Sequence, residues 1–162
     1  MLSVLTMTLA AASCSQSPSS VPVLRRAVGQ KVYDESADAR ADLGKAVTRA
    51  RLERKRLLVV FGGNWCSDCI ALDRRLHEPP AASIMDASYI LVHVDIGQGD
   101  KNKDVVKQCG VSLAKGVPAV AVLDSDGSVL YSARDGEFEP AQRLKPQVFV
   151  DFLNEWKSAA PR

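Results

Sequence analysis

At 162 residues, 46% of them hydrophobic and 25% charged, the chain has room for one globular domain with a sizeable core and too little for two. Twenty-one basic and nineteen acidic residues leave a formal charge of +2, too balanced for a dedicated nucleic-acid binder or for a protein held to acidic membranes by charge. The one basic run, Arg49, Arg51, Arg54, Lys55 and Arg56 beside Glu53, reads as a solvated helix face.

The first thirteen residues, Met1 to Ser13, carry no charge and are too short and too mixed to span a bilayer. They resemble the apolar core of a secretory signal ending in small residues, although no Lys or Arg precedes Arg25 to supply its positive start. Ala11-Ala12-Ser13-Cys14 further resembles a bacterial lipoprotein signal, in which Cys14 becomes the lipidated first residue, with Ala11 where leucine is usual. A plain cleaved signal and an uncleaved start are the alternatives. Residues 14–30, polar and proline-bearing, have the composition of a flexible tether, and the folded domain is expected over residues 31–162.

Asp38 to Lys55 reads as an amphipathic helix with Leu43, Val47 and Ala50 on one face. Residues 57–62 are apolar without alternation, as in a strand covered on both faces. A helix from about Cys66 to His77 follows and is stopped by Pro79-Pro80. A short helix from Ala81 to Ala87 leads into a strand from Tyr89 to Asp95, then the loop Gly97-Gln98-Gly99-Asp100 and a helix from Lys103 to Gln108. Strands Ala119 to Leu123 and Val129 to Ala133 flank the hairpin signal Asp124-Ser125-Asp126-Gly127. Lys145 to Lys157 closes the chain as a helix, with Val148, Phe152 and Trp156 on its buried side. The order fits an α/β fold, a central mixed sheet with helices on both faces plus an extra N-terminal helix.

The chemistry is concentrated where the first strand gives way to the second helix, at Gly62-Gly63-Asn64-Trp65-Cys66-Ser67-Asp68-Cys69. A Cys-x-x-Cys pair in this context marks a thiol–disulfide redox centre. With Cys66 at the helix start, its sulfur lies among unpaired backbone N–H groups at the positive end of the dipole, which favours thiolate and makes it the nucleophile. Cys69, one helical turn on, is the resolving thiol. Trp65 offers a flat apolar face beside the sulfur on which a substrate chain could rest; the alternative is a rim or core aromatic. Ser67 and Asp68 either tune the site or cap the helix. Asp68 opposes the thiolate as a like charge, which leans the pair towards reduction or isomerisation over strong oxidation.

Zinc is the competing use of a cysteine pair, but it needs four ligands, and Cys109, His77 and His93 lack ligand spacing. Cys109 reads as a buried small hydrophobe and His77 as a surface residue at a helix end. His93, between Val92 and Val94, faces either the core or the site side, and Asp95 reads as a loop cap.

Trp65-Cys66-Ser67-Asp68-Cys69 together with Gly116-Val117-Pro118-Ala119-Val120 resembles the thioredoxin superfamily over roughly residues 31–158. More narrowly, Tyr33-Asp34 and Phe61-Gly62-Gly63-Asn64-Trp65-Cys66 look like the periplasmic thioredoxin-like proteins often labelled disulfide isomerases. The resemblance implies a thioredoxin-like fold, a cis proline at Pro118 facing the sulfurs, and a substrate-binding surface formed by Trp65, Val117 and Pro118. It departs at Val60, where thioredoxins carry a buried acid, and at Ser67-Asp68 and Ile70, where they carry Gly-Pro and a basic residue. The implied function is an exported thiol–disulfide oxidoreductase, periplasmic or envelope-bound, using no metal or organic cofactor. Its expected partners are cysteine-containing envelope proteins and an upstream thiol–disulfide donor or acceptor protein. No nucleic acid is involved, and the membrane enters only through a lipid anchor at Cys14. The rival reading is a non-enzymatic binding module whose disulfide is structural.

Overall fold

A computed structural model of the chain describes residues 31–157. The expected signal segment, Cys14 and the whole tether lie outside the described residues. The elements run α1 (Ala39–Glu53), β1 (Arg56–Gly62), α2 (Ser67–Leu76), α3 (Ala81–Ser88), β2 (Tyr89–Asp95), α4 (Lys103–Cys109), β3 (Ala119–Leu123), β4 (Val129–Ser132) and α5 (Pro146–Trp156). The sheet has the order β2-β1-β3-β4, with β1 and β2 parallel and the β1–β3 and β3–β4 pairs antiparallel.

Alternation along the strands divides the core. Leu57, Val59 and Phe61 of β1, with Ile90, Val92 and Val94 of β2, pack under α1 and α4 against Leu43, Ala46, Ala50 and Val105. Leu58 and Val60 face the other way, onto Leu72 and Leu76 of α2, Met85 of α3 and Phe149 and Leu153 of α5. Both faces of the central strand are thereby covered, which accounts for its unbroken apolar run. β1 ends at Gly62, and the chain passes through the Gly-Gly turn into α2 on the face that Leu58 and Val60 line.

Local chemistry sets the boundaries. The Asp38 carboxylate accepts from the Ala41 N–H at the start of α1, and Arg54 closes that helix with a left-handed backbone. The Asp124–Gly127 turn brings the Asp124 N–H to the Ser128 carbonyl, with Gly127 at φ +90°. Two sequence expectations need correction. In α5 the buried residues are Phe149, Val150 and Leu153, while Val148 is exposed; Phe152 and Trp156 are half-buried against Tyr131. The helix lies against α3 as well as the sheet, so its inner stripe is turned by one residue from the Val148–Phe152–Trp156 row. In α1, Ala46 joins the buried row and Val47 is only partly covered.

Candidate active site

The site is built by the turn between β1 and α2. Gly62 and Gly63 are the residues that let it form. A Cβ on Gly62 would lie 2.6 Å from Cys69 Sγ and 2.7 Å from Tyr33 Oη, and one on Gly63 would lie 2.5 Å from Trp65 Nε1. The missing side chains leave room for a sulfur, a phenol and an indole. Asn64, next in the turn, clamps the segment before α1: its Oδ1 accepts from the Val32 and Tyr33 N–H groups at 2.9 and 3.0 Å, and its Nδ2 donates to the Tyr33 carbonyl at 2.8 Å and to Glu35 at 3.0 Å. Trp65 is 54% exposed and held by one hydrogen bond, from its Nε1 to the Gly97 carbonyl at 2.7 Å.

Cys66 is the N-cap residue of α2, with extended backbone, and its sulfur accepts from the Cys69 N–H at 3.1 Å. The two Sγ atoms are 2.25 Å apart and joined as a disulfide, with Cα atoms 5.2 Å apart. The pair is asymmetric. Cys69 is fully buried, while Cys66 keeps 7% of its surface. Cys66 Sγ also lies 3.5 Å from the carbonyl oxygen of Val117, and the following peptide bond to Pro118 is cis. Pro118 is buried, Val117 half-buried, and β3 starts immediately after them.

Ser67 and Asp68 do not cap α2 with their side chains; the Cys66 sulfur occupies that position. Asp68 Oδ1 instead accepts from the Gln142 N–H at 2.8 Å, and Gln142 Nε2 donates to Ser67 Oγ at 3.0 Å, so the first turn of α2 is tied to the segment before α5.

A scan against known families matches the model described as thioredoxin-like over residues 38–125. The chain belongs to the thioredoxin-like family. Among solved structures, this thioredoxin-like protein is similar to the disulphide isomerase of Xylella fastidiosa Temecula1, at 35% identity over 78% of this chain and 96% of that one, with a TM-score of 0.73. The fold is also that of a thioredoxin from Thermus thermophilus, at 14% identity over 69% of this chain and 81% of that one, TM-score 0.51. No curated protein matches the chain. A thioredoxin-like fold carrying a Cys-x-x-Cys pair at bonding distance is the arrangement of thiol–disulfide oxidoreductases.

Behind the pair, this thioredoxin-like protein holds polar residues that the sequence reading did not bring together. Asp73 lies one turn beyond Cys69 on the inner side of α2 and is 5% exposed. Its Oδ1 is 3.1 Å from His93 Nε2, which settles His93 on the α2 side of the sheet. His77, exposed at the end of α2, places Nδ1 2.7 Å from the Asp73 carbonyl and 3.5 Å from its carboxylate. Asp95 is buried beside the Lys101 ammonium at 3.2 Å and accepts from the Gly97 N–H at 3.3 Å. Cys109 sits in the core under α1, and burial pushes its thiol up to about 11. Among the described residues no group of three His, Cys, Asp or Glu side chains is arranged to hold a metal ion. The i,i+4 spacing of Cys69 and Asp73 was a readable signal for the second; nothing local pointed to the contact between Asn64 and Tyr33.

Proposed function

We propose that the protein is an exported thiol–disulfide oxidoreductase, a reductase or isomerase of protein cysteines, working through Cys66 and Cys69. The observation that carries the reading is the asymmetry of the pair: a cysteine at the N-cap of α2 that keeps some exposed surface, bonded to one that is fully buried. The helix terminus favours the Cys66 thiolate, so the reduced pair presents a nucleophile outside and a resolving thiol inside. Cys66 attacks a substrate disulfide; a bond forms from Cys66 Sγ to one substrate sulfur, and the other leaves as thiolate and takes a proton from water. Deprotonated Cys69 then attacks Cys66 Sγ, the second substrate sulfur leaves, the pair is oxidised and the substrate is reduced by two electrons. An isomerase uses the same first step and lets another substrate thiolate displace Cys66.

Trp65, exposed beside the pair, and the Val117-Pro118 loop facing Cys66 form the surface on which the substrate chain rests. Likeness to a disulphide isomerase at 35% identity supports the isomerase side of the reading. An uncharged start over residues 1–13, a tether over 14–30 and Cys14 as lipid-bearing residue would place the domain of residues 31–162 in the envelope, among cysteine-containing substrates and a protein that restores the pair. The test is a pair of assays on the purified protein: dithiol-dependent reduction of insulin and recovery of activity by a scrambled disulfide protein. Both are expected with the wild type and lost in Cys66→Ser. Activity that survives Cys66→Ser, or a wild type inert in both assays, would contradict the proposal and leave the non-enzymatic binding module with a structural disulfide.

A further inference from the structure

Tyr33 is fully buried, and among the described residues its hydroxyl has no hydrogen-bond partner in the protein. A buried hydroxyl without a partner carries a free-energy cost, so its surroundings call for an explanation. Tyr33 Oη and Cys69 Sγ both lie within 2.7 Å of the point a Cβ on Gly62 would occupy, which puts phenol oxygen and sulfur within two such lengths of each other. Tyr33, Cys66 and Cys69 pack in one cluster. While Cys69 is bonded to Cys66 its sulfur is a weak acceptor; once that bond opens it becomes a thiolate, a strong one.

The ring is held in place from several directions. Asn64 fixes its backbone, and the His93 imidazole meets it edge to face at 5.1 Å between centroids and 76° between planes. His93 Nε2 lies in turn 3.1 Å from the Asp73 carboxylate. The charged and titratable groups that bear on the ring are Asp73 from α2 and His93 and Asp95 from β2; His77 lies beside Asp73 and Lys101 beside Asp95. At Val60, the register partner of His93, β1 contributes only hydrocarbon. Burial, and then the charges of Asp73 and Asp95, hold the phenol far above its ordinary titration range, so it is a donor throughout the working pH range.

We propose that Tyr33 is the hydrogen-bond donor to the Cys69 sulfur when the Cys66–Cys69 bond opens, with His93 and Asp73 as positioning residues for its ring. The inference rests on the thiol–disulfide reading above. When a reducing dithiol acts on the pair, its thiolate forms a bond to Cys66 Sγ, the Cys66–Cys69 bond breaks, and the electron pair goes to Cys69. The second donor thiol loses its proton to water and displaces Cys66, so the dithiol is oxidised and the pair reduced. Tyr33 keeps its proton throughout and stabilises charge that exists on Cys69 only after, or during, bond opening. Such an interaction favours the reduced form and the transition state over the closed disulfide.

Tyr33→Phe removes the hydroxyl and leaves the ring against His93. In the full chain equilibrated with dithiothreitol redox buffers, the variant should hold its disulfide closed more tightly, with the equilibrium constant for reduction lower by roughly tenfold, the scale of one hydrogen bond to a charged acceptor. The rate of reduction by dithiothreitol at fixed pH should fall with it. The melting temperature of the oxidised variant should match or exceed the wild type's, while that of the reduced variant drops. His93→Phe, which keeps a ring there but not the imidazole nitrogen beside Asp73, should shift the equilibrium in the same direction by a smaller factor. A Tyr33→Phe protein with wild-type equilibrium and rate, while the wild type opens and closes reversibly, overturns this inference alone; a wild-type pair that does not cycle overturns the function proposed above. If Tyr33→Phe does not fold, the wild type decides: reduction should shift the near-ultraviolet tyrosine difference spectrum, and an unshifted spectrum overturns the inference.

Discussion

A single methyl group on Gly62 probes the packing behind the cysteine pair. In Gly62→Ala the new Cβ would stand 2.6 Å from Cys69 Sγ, 2.7 Å from Tyr33 Oη and 3.0 Å from Tyr33 Cζ. Neither neighbour can swing aside, because Cys69 and Tyr33 are both fully buried and Asn64 pins the Tyr33 backbone. Forcing a methyl group into such a site costs about 1–3 kcal/mol, which at about 3 °C per kcal/mol lowers the melting temperature by roughly 3–9 °C. Gly44 supplies the control. It lies exposed inside α1, and a Cβ there meets nothing within 4 Å. Gly44→Ala should therefore stabilise by about 0.4–1 kcal/mol through reduced backbone entropy of the unfolded chain. Thermal and urea denaturation of the two oxidised variants should move in opposite directions. A Gly62→Ala protein as stable as the wild type would refute the placement of the phenol and the sulfur against that turn, and Gly62→Ala combined with Tyr33→Phe should recover only part of the loss, since the sulfur contact stays.

Other outcomes follow from the same geometry. In the reduced protein, Asp68→Asn should speed alkylation of Cys66 at mildly acidic pH by a few-fold and by no more than about tenfold, because it removes a like charge while its amide oxygen still accepts from Gln142; an unchanged rate would confine Asp68 to holding that segment. Asn64→Ala should cost about 2–4 kcal/mol, at about 0.5–1 kcal/mol for each of the four hydrogen bonds lost, and should accelerate hydrogen exchange at the Val32 and Tyr33 amides. Wild-type exchange there would contradict the clamp. Burial raises the Cys109 thiol from 9.0 to about 11, so the unfolded chain ionises first: the contribution is intact below pH 9 and is lost as pH rises towards 11. Urea midpoints should fall over that interval in the wild type and fall less in Cys109→Ala, and equal slopes would count against it.

Much of the fold was legible because apolar runs were bounded by strong punctuation. β2 runs from Tyr89 to Asp95 and β3 from Ala119 to Leu123, as their patterns indicate, each preceded or followed by a glycine- or proline-bearing loop. The Cys66–Cys69 pair was legible for the same reason, since its chemistry depends on a local strand-to-helix step. The inner face of α5 was not, because Val148, Phe149, Val150, Phe152, Leu153 and Trp156 leave two overlapping apolar stripes and only contact with α3 and the sheet chooses between them. Nor was the Asn64 clamp, which joins residues 31 and 32 positions apart. Ser67 and Asp68 were read as local, tuning or capping, and their side chains reach Gln142, more than seventy residues later. Interactions of that kind depend on where β3, β4 and α5 deliver the chain, which no window around the motif contains.

The most direct measurement is a redox titration of the purified protein. Samples equilibrated across a series of dithiothreitol ratios are quenched with an alkylating agent and weighed by mass spectrometry with residue-level assignment. A working pair predicts one reversible two-electron transition, from neither Cys66 nor Cys69 labelled to both labelled, with the same midpoint approached from either side and with buried Cys109 outside it. A bond that opens only when the protein is denatured, or that fails to close again on return to oxidising buffer, would contradict a thiol–disulfide role and mark the disulfide as structural.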